Sequence, residues 1–206
     1  EGQVAISIPT EDNEMVVHSS TQNPTEVQHL VAHVLDVPQN AIEVVTRRMG
    51  GGFGGKETDS SQLACICAIF SKRTLRPVKA RLSRKDDILL TGKRHDFVAK
   101  YQVGYNDEGI IQGIEIDLAA RCGYSLDLSK AIVSRALFHA DNTYFIPNAT
   151  FKGFLCKTNT ASNTAFRGFG GPQGMLTIEN IIEEIANNMG TDPLNIRKIN
   201  YYQKGS

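Results

Sequence analysis

The sequence lacks an excess of either charge: Lys+Arg and Asp+Glu both number 22 in 206 residues. That balance argues against a general nucleic-acid binder or a protein of the membrane surface, both of which need a basic field. Long apolar runs are also missing. The longest, residues 63–70, is far short of the ~20 residues that a spanning helix requires, and no signal-peptide pattern appears. Cysteines are few: Cys65, Cys67, Cys122 and Cys156. Their spacing fits neither a zinc site nor an iron–sulfur run. Cys65 and Cys67 lie in LACICAIF and are expected to be buried free thiols. Reduced thiols in a chain of this size point to a cytoplasmic location. No linker, charge block or low-complexity segment divides the sequence. It opens without methionine, directly into the strand-like QVAISIP, and reads as a piece of a longer polypeptide.

What is present is a mixed pattern. With 41% hydrophobic residues, a chain this long can bury roughly 70% of its unfolded surface. Residues 4–8 and 15–19 read as strands around the polar turn EDN. Asn23-Pro24-Thr25-Glu26 reads as a helix start with Pro at its first position, and Val27, Leu30, Val31, Val34 and Leu35 continue it with helical spacing until Pro38. Residues 42–46 predict a strand, 63–70 a buried helix and 78–82 another strand. Residues 98–105 and 110–118 flank NDEG as a long hairpin. A helix near 128–139 and an extended segment at 151–156 follow. A strong helix carries Met175, Ile178, Ile181, Ile182 and Ile185 and ends at Gly190 and Pro193. Strands and helices mixed in this way, with a clear hairpin, predict an α+β fold.

Residues 47–61, RRMGGGFGGKETDSS, place five glycines in six positions, and Gly-Phe-Gly-Gly recurs at 168–171. Each copy precedes a helix, so each is a potential anion cradle. Gly50-x-x-x-x-Gly55-Lys56 fits most of a phosphate loop, but Glu57 stands where magnesium needs Ser or Thr. Gly50-x-Gly52-x-x-Gly55 fits the dinucleotide fingerprint. The region that should end in an acid, 78–82, is instead basic, which leaves open only a ligand with a 2′-phosphate. The plain alternative is a tight turn for close strand–helix packing. His29 and His33 have metal-compatible spacing on a helix but lie off its apolar stripe, and they read as a solvated face. His95 and His139 read as structural hydrogen-bonding groups.

MGGGFGGKET (49–58), TGKRHDFVAKY (91–101), SRALFHADNTYFIPN (134–148) and SNTAFRGFGGPQG (162–174) together resemble the molybdenum-cofactor-binding domain of xanthine dehydrogenases, in the xanthine oxidase family of molybdenum hydroxylases. The similarity runs in order over essentially the whole chain. It implies a two-lobed α+β domain, of which residues 1–206 are the N-terminal portion. Both glycine loops would wrap a molybdenum–molybdopterin, whose close approach needs bare backbone. Gln22, Gly52, Phe53, Gly54, Arg167 and Gly168 match cofactor-binding positions, with Gln22, Phe53 and Arg167 nearest the metal. Glu57, Arg135 and Phe169 match positions that bind the substrate: an acid for the purine ring N–H, a guanidinium for a purine oxygen, and a ring stacked on the heterocycle. Aldehyde oxidases lack this charged pair, so purine hydroxylation is implied. No catalytic residue is assigned in this segment, because the general-base glutamate is expected downstream of Ser206. Fe–S clusters, FAD and NAD are implied on other domains or subunits, in a homo-oligomer of the complete enzyme without nucleic-acid or membrane partners. The competing readings are an aldehyde oxidase-like hydroxylase and a non-catalytic interaction module with packing glycine loops.

Overall fold

The computed structural model describes residues 1–203. The chain divides into two compact units, one of residues Glu1–Arg94 with Ala161–Arg167, the other of His95–Thr160 with Gly168 onward.

In the first unit, β1 (Val4–Pro9) and β2 (Met15–Ser19) form an antiparallel pair with Ala5 opposite Ser19. The turn between them uses Asp12 and Asn13 at positive φ, a conformation these short polar residues tolerate. Helix α1 (Pro24–Leu35) starts as its sequence predicts: the Asn23 side chain accepts from Glu26 N at 3.2 Å, and Pro24 occupies the first turn. It stops before Pro38, at Asp36, whose left-handed φ of 54° turns the chain out. Strand β3 (Ile42–Val45) runs parallel to β2. After α2 (Asp59–Thr74), strand β4 (Val78–Arg81) joins the far side of β1, completing the order β3-β2-β1-β4. Val17, Val27, Val31, Ala64, Cys67 and Ala68 are wholly buried between this sheet and the two helices. Each large side chain so removed from water is worth roughly 1.5–3 kcal/mol.

Helix α2 is longer than its predicted core and not buried all round. Leu63, Ala64, Cys67 and Ala68 face inward, whereas Ile66 and Phe70 are about half exposed and Cys65 is only partly covered. A continuous apolar run hides which face is covered, because every residue in it looks like core. Helix α3 (Arg84–Leu90) was not foreseen. Ser83 caps it by accepting from Asp86 N, but Ile88, Leu89 and Leu90 are all exposed, so no apolar stripe advertised it.

In the second unit, β5 (Phe97–Tyr105) and β6 (Ile111–Gly123) form the predicted hairpin. Gly109, at φ 87°, lets the turn close, with its N–H donating to Asn106 O. Strand β7 (Ala149–Lys157) lies parallel to β6, so both sheets are mixed. Between these strands comes α4 (Ser129–Phe138), and α5 (Gly171–Met189) follows them. Ile178, Ile181, Ile182 and Ile185 of α5 are at most 1% exposed and pack in one cluster with Ile114, Ile116 and Leu118 of β6. Gly190, left-handed at φ 64°, ends α5 as expected. Pro193, however, begins a further helix instead of merely ending one: α6 (Pro193–Asn200), capped by Asp192 Oδ1 on Leu194 N. Buried Asn200 ties α6 to the hairpin by accepting from Ile111 N and donating to Gly109 O. His95 is a buried structural group, its Nε2 2.7 Å from Ser129 Oγ.

Candidate functional site

The two Gly-Phe-Gly-Gly copies adopt the same turn. In the first, Gly55 N donates to Gly52 O at 2.9 Å, with Phe53 at φ 52° and Gly54 at φ 97°. In the second, Gly171 N donates to Gly168 O at 3.0 Å, with Phe169 at φ 50° and Gly170 at φ 96°. Positive φ at both central positions defines a type I′ turn. A phenylalanine there costs roughly 1–2 kcal/mol, because its Cβ crowds the following carbonyl. Bulky residues held in this way are outliers that concentrate at ligand sites.

The first turn gathers most of the residues predicted to meet the cofactor. The β1–β2 register brings residues 1–3 and 20–22 to one end of the sheet, with Ser20 N donating to Val4 O. From there Gln22 Oε1 accepts from Gly54 N at 2.8 Å and from Lys56 N at 3.4 Å. With its oxygen committed to two backbone donors, the exposed Gln22 side chain has its NH2 left to donate outward. A Cβ on Gly52 would fall 2.4 Å from Gln22 Oε1, and one on Gly54 2.8 Å from the Ala165 backbone. Arg167 N donates to Phe53 O at 2.8 Å, and Arg94 donates to Arg167 O while its guanidinium lies 4.6 Å from the Phe166 ring centroid. Gln22, Gly52, Phe53, Gly54 and Arg167 are thus one connected cluster. The Phe53 ring is 65% exposed and Arg167 is exposed beside it in the chain of hydrogen bonds. Glu57 follows in the same loop, its N–H donating to Gly54 O.

Gly168, Phe169 and Arg135 belong to the second unit. There the turn runs straight into α5, and a Cβ on Gly170 would lie 2.1 Å from Ile132 O of α4. Arg135, exposed in the last turn of α4, has its Nε 3.9 Å from where a Gly171 Cβ would stand, beside the N-terminus of α5. A helix N-terminus with a guanidinium next to it favours negative charge.

Three of the glycines therefore have the packing reason that the sequence offered as its plain alternative. At Gly52, Gly54 and Gly170 a side chain would strike the protein itself before it met any ligand. Lys56 departs from a phosphate-binding role: its ammonium is buried and bonded to Ser20 and Glu1. Ser20 first, then Lys56, holds the Glu1 carboxyl down to about 2. A groove of about 760 Å³ in the second unit, lined by residues of β5, β6 and 147–150, includes none of the predicted site residues. Among the described residues no group of three or more His, Cys, Asp or Glu is placed to hold a metal, and no helix is long and apolar enough to cross a membrane. Arg94, Thr164 and Asp59 were missed as supports. Asp59 Oδ2 accepts from Gly92 N, and the Thr58 and Thr164 hydroxyls are 3.4 Å apart. Only their presence inside or beside the quoted motifs marked them.

Gln22 in the first unit, and the α5 N-terminus with Arg135 in the second, each offer donors suited to an anionic, oxygen-rich group. Residues 1–201 match the molybdopterin cofactor-binding domain family, and the chain belongs to it. Its relatives include a xanthine dehydrogenase of Dictyostelium discoideum, 48% identical over 96% of this chain, and a nicotinate hydroxylase of Emericella nidulans, 46% identical over all of it. Among solved structures, the aldehyde oxidoreductase of Desulfovibrio gigas superposes on the whole chain with a TM-score of 0.90 at 28% identity, over 22% of its own length. The chain spans only 14–15% of those curated relatives. Both the family and the α+β fold are as the motifs implied.

Proposed function

We propose that residues 1–206 form the N-terminal portion of the cofactor-binding domain of a molybdenum hydroxylase that oxidises purines, hypoxanthine and xanthine to urate. The observation that carries this reading is the exposed Gln22 amide, whose oxygen is taken up by the Gly54 and Lys56 N–H groups, leaving its NH2 available beside a strained turn and the exposed Arg167. When bound, the molybdenum–molybdopterin supplies activation of water and a two-electron sink. Gln22 donates a hydrogen bond to it, while the Phe53 and Arg167 backbones and the bare Gly52, Gly54 and Gly168 line it. Glu57 accepts from a purine ring N–H, Arg135 opposes the negative charge that grows on a purine oxygen, and Phe169 lies against the flat ring. The general-base glutamate, the Fe–S clusters, FAD and NAD reside on other segments of a cytoplasmic homo-oligomer.

A second heterocycle has direct support. The nicotinate hydroxylase is almost as similar to the chain as the xanthine dehydrogenase, so overall identity does not select the substrate. Nicotinate would pair with Arg135, but its carboxylate would be repelled by Glu57. The test is Arg135→Met in the full-length enzyme. Turnover of xanthine should fall roughly 10²–10³-fold, the scale of a lost transition-state charge partner, while an aromatic aldehyde loses less than about tenfold by the same argument. Equal losses would refute the role of Arg135. Faster turnover of nicotinate than of xanthine by the unaltered enzyme would select the second reading, and absence of stoichiometric molybdenum would remove both. The isolated segment should show no xanthine-dependent reduction of an artificial acceptor.

A further inference from the structure

Lys56 has no part in the proposed contacts, yet it is only 3% exposed. A buried ammonium is costly unless paired, so its partners indicate what its burial achieves. Its Nζ donates to Ser20 Oγ at 2.6 Å and to Glu1 Oε1 at 3.2 Å, and the Ser20 hydroxyl donates to the same Glu1 oxygen. The other oxygen, Glu1 Oε2, accepts from Gly50 N at 2.8 Å. One carboxylate thus bridges the first glycine of the loop and the lysine that closes it. On the opposite side, Lys56 O accepts from Gln22 N at 2.8 Å and from Thr21 Oγ1 at 3.2 Å. The residue that is tied to Glu1 by its side chain is tied to Gln22 by its backbone.

We propose that Lys56 is a positioning residue: with Glu1 and Ser20 it clasps the loop 50–56 shut and so fixes the distance and rotation of the Gln22 amide relative to the first turn. This rests on the function proposed above for Gln22, but the clasp itself does not. Without it the loop is held at Gln22, at Arg167 through Phe53 O and at Gln3, whose Nε2 donates to Gly55 O, while its Gly50 end keeps only the contact of Gly50 O with the Glu1 nitrogen. A salt bridge that merely held the first unit together would loosen α1 of that unit as much as the loop; the clasp should loosen the loop alone.

The experiment uses the full-length enzyme carrying Lys56→Met and, in parallel, the milder Ser20→Ala. Amide hydrogen exchange is read on peptides covering 50–57, 24–35 of the same unit and 168–174, together with molybdenum content and the separate kinetic constants. In Lys56→Met, exchange at Gly54 should quicken by roughly tenfold, the scale of one lost hydrogen bond, while 24–35 and 168–174 are unchanged. In the molybdenum-loaded fraction, kcat should fall roughly tenfold to a hundredfold, as for a displaced reacting group, and by a larger factor than KM changes. If Lys56→Met does not fold, Ser20→Ala must still quicken exchange in 50–57 alone. Unchanged exchange in 50–57, an equal rise in 24–35, or a raised KM with unaltered kcat overturns the proposal. An unaltered enzyme without molybdenum would end the functional reading, and the exchange comparison would still decide the clasp.

Discussion

The same four residues, Gly-Phe-Gly-Gly, make the same type I′ turn in both units and then do different things. In the first unit the turn is followed by Lys56, Glu57 and Thr58 before α2 begins at Asp59, and the Phe53 ring stands in solvent. In the second, α5 begins on the last glycine of the turn, and Phe169 is partly covered. The supports differ as well. The Gln22 side chain and the non-helical backbone of 165–167 hold the first turn, whereas the helical backbone of α4 presses against the second. A turn stapled by side chains can be retuned by substitution. A turn wedged between helix backbones cannot, because no rotamer change relieves the contact.

The sharpest way to break this contrast is Gly170→Ala. It places a methyl group 2.1 Å from Ile132 O at a φ of 96°. Overpacking and left-handed strain together should cost roughly 3 kcal/mol or more, read as a lower denaturant midpoint. Next comes Gly54→Ala, whose Cβ would stand 2.8 Å from the Ala165 backbone at φ 97°. Here the opposing segment 161–167 is not helical and can give way, so roughly 2 kcal/mol is expected. Gln22→Ala removes the acceptor of Gly54 N but leaves that amide open to water, for about 0.5–1 kcal/mol.

Acid sharpens the comparison from another side. The Glu1 carboxyl is depressed to about 2 in the folded chain, so its contribution is present above the ordinary value near 4.5 and is lost as pH falls from there toward about 2. The stability gap between the unaltered chain and Glu1→Gln should therefore close between those values and be constant from pH 6 to 8. Smallest of all should be Gly55→Ala, whose Cβ has its nearest neighbour, Gly52 O, at 3.4 Å. Stability should stay within about 0.5 kcal/mol. A loss as large as that at Gly54 would show that the first turn is wedged in the same manner as the second.

Much of the fold was legible wherever its cause is local. The cap at Asn23, the NDEG hairpin and the isoleucine stripe of α5 each depend on residues a few positions apart, and each stands where it was read. Helix α3 escaped because its three apolar residues are exposed. Helix α6 escaped because Pro193 reads equally well as the end of one helix or the start of the next. The parallel pairings of β2 with β3 and β6 with β7 were invisible, since their partners are set by crossovers and not by turns.

The candidate site divides along the same line. Motif resemblance picked out Gln22, Phe53 and Arg167, but not that Gln22 orients itself on Gly54, nor that Arg167 N seals Phe53 O. The sequence by itself determined the glycine loops and the helices after them, because capping and periodicity are properties of neighbouring residues. Only the tertiary structure decided which glycines have room for a side chain, which lysine is buried and which amide faces outward. Those depend on atoms that residues 1–3, 20–22 and 161–167 bring to the loop from far along the chain, and no local pattern encodes such an encounter.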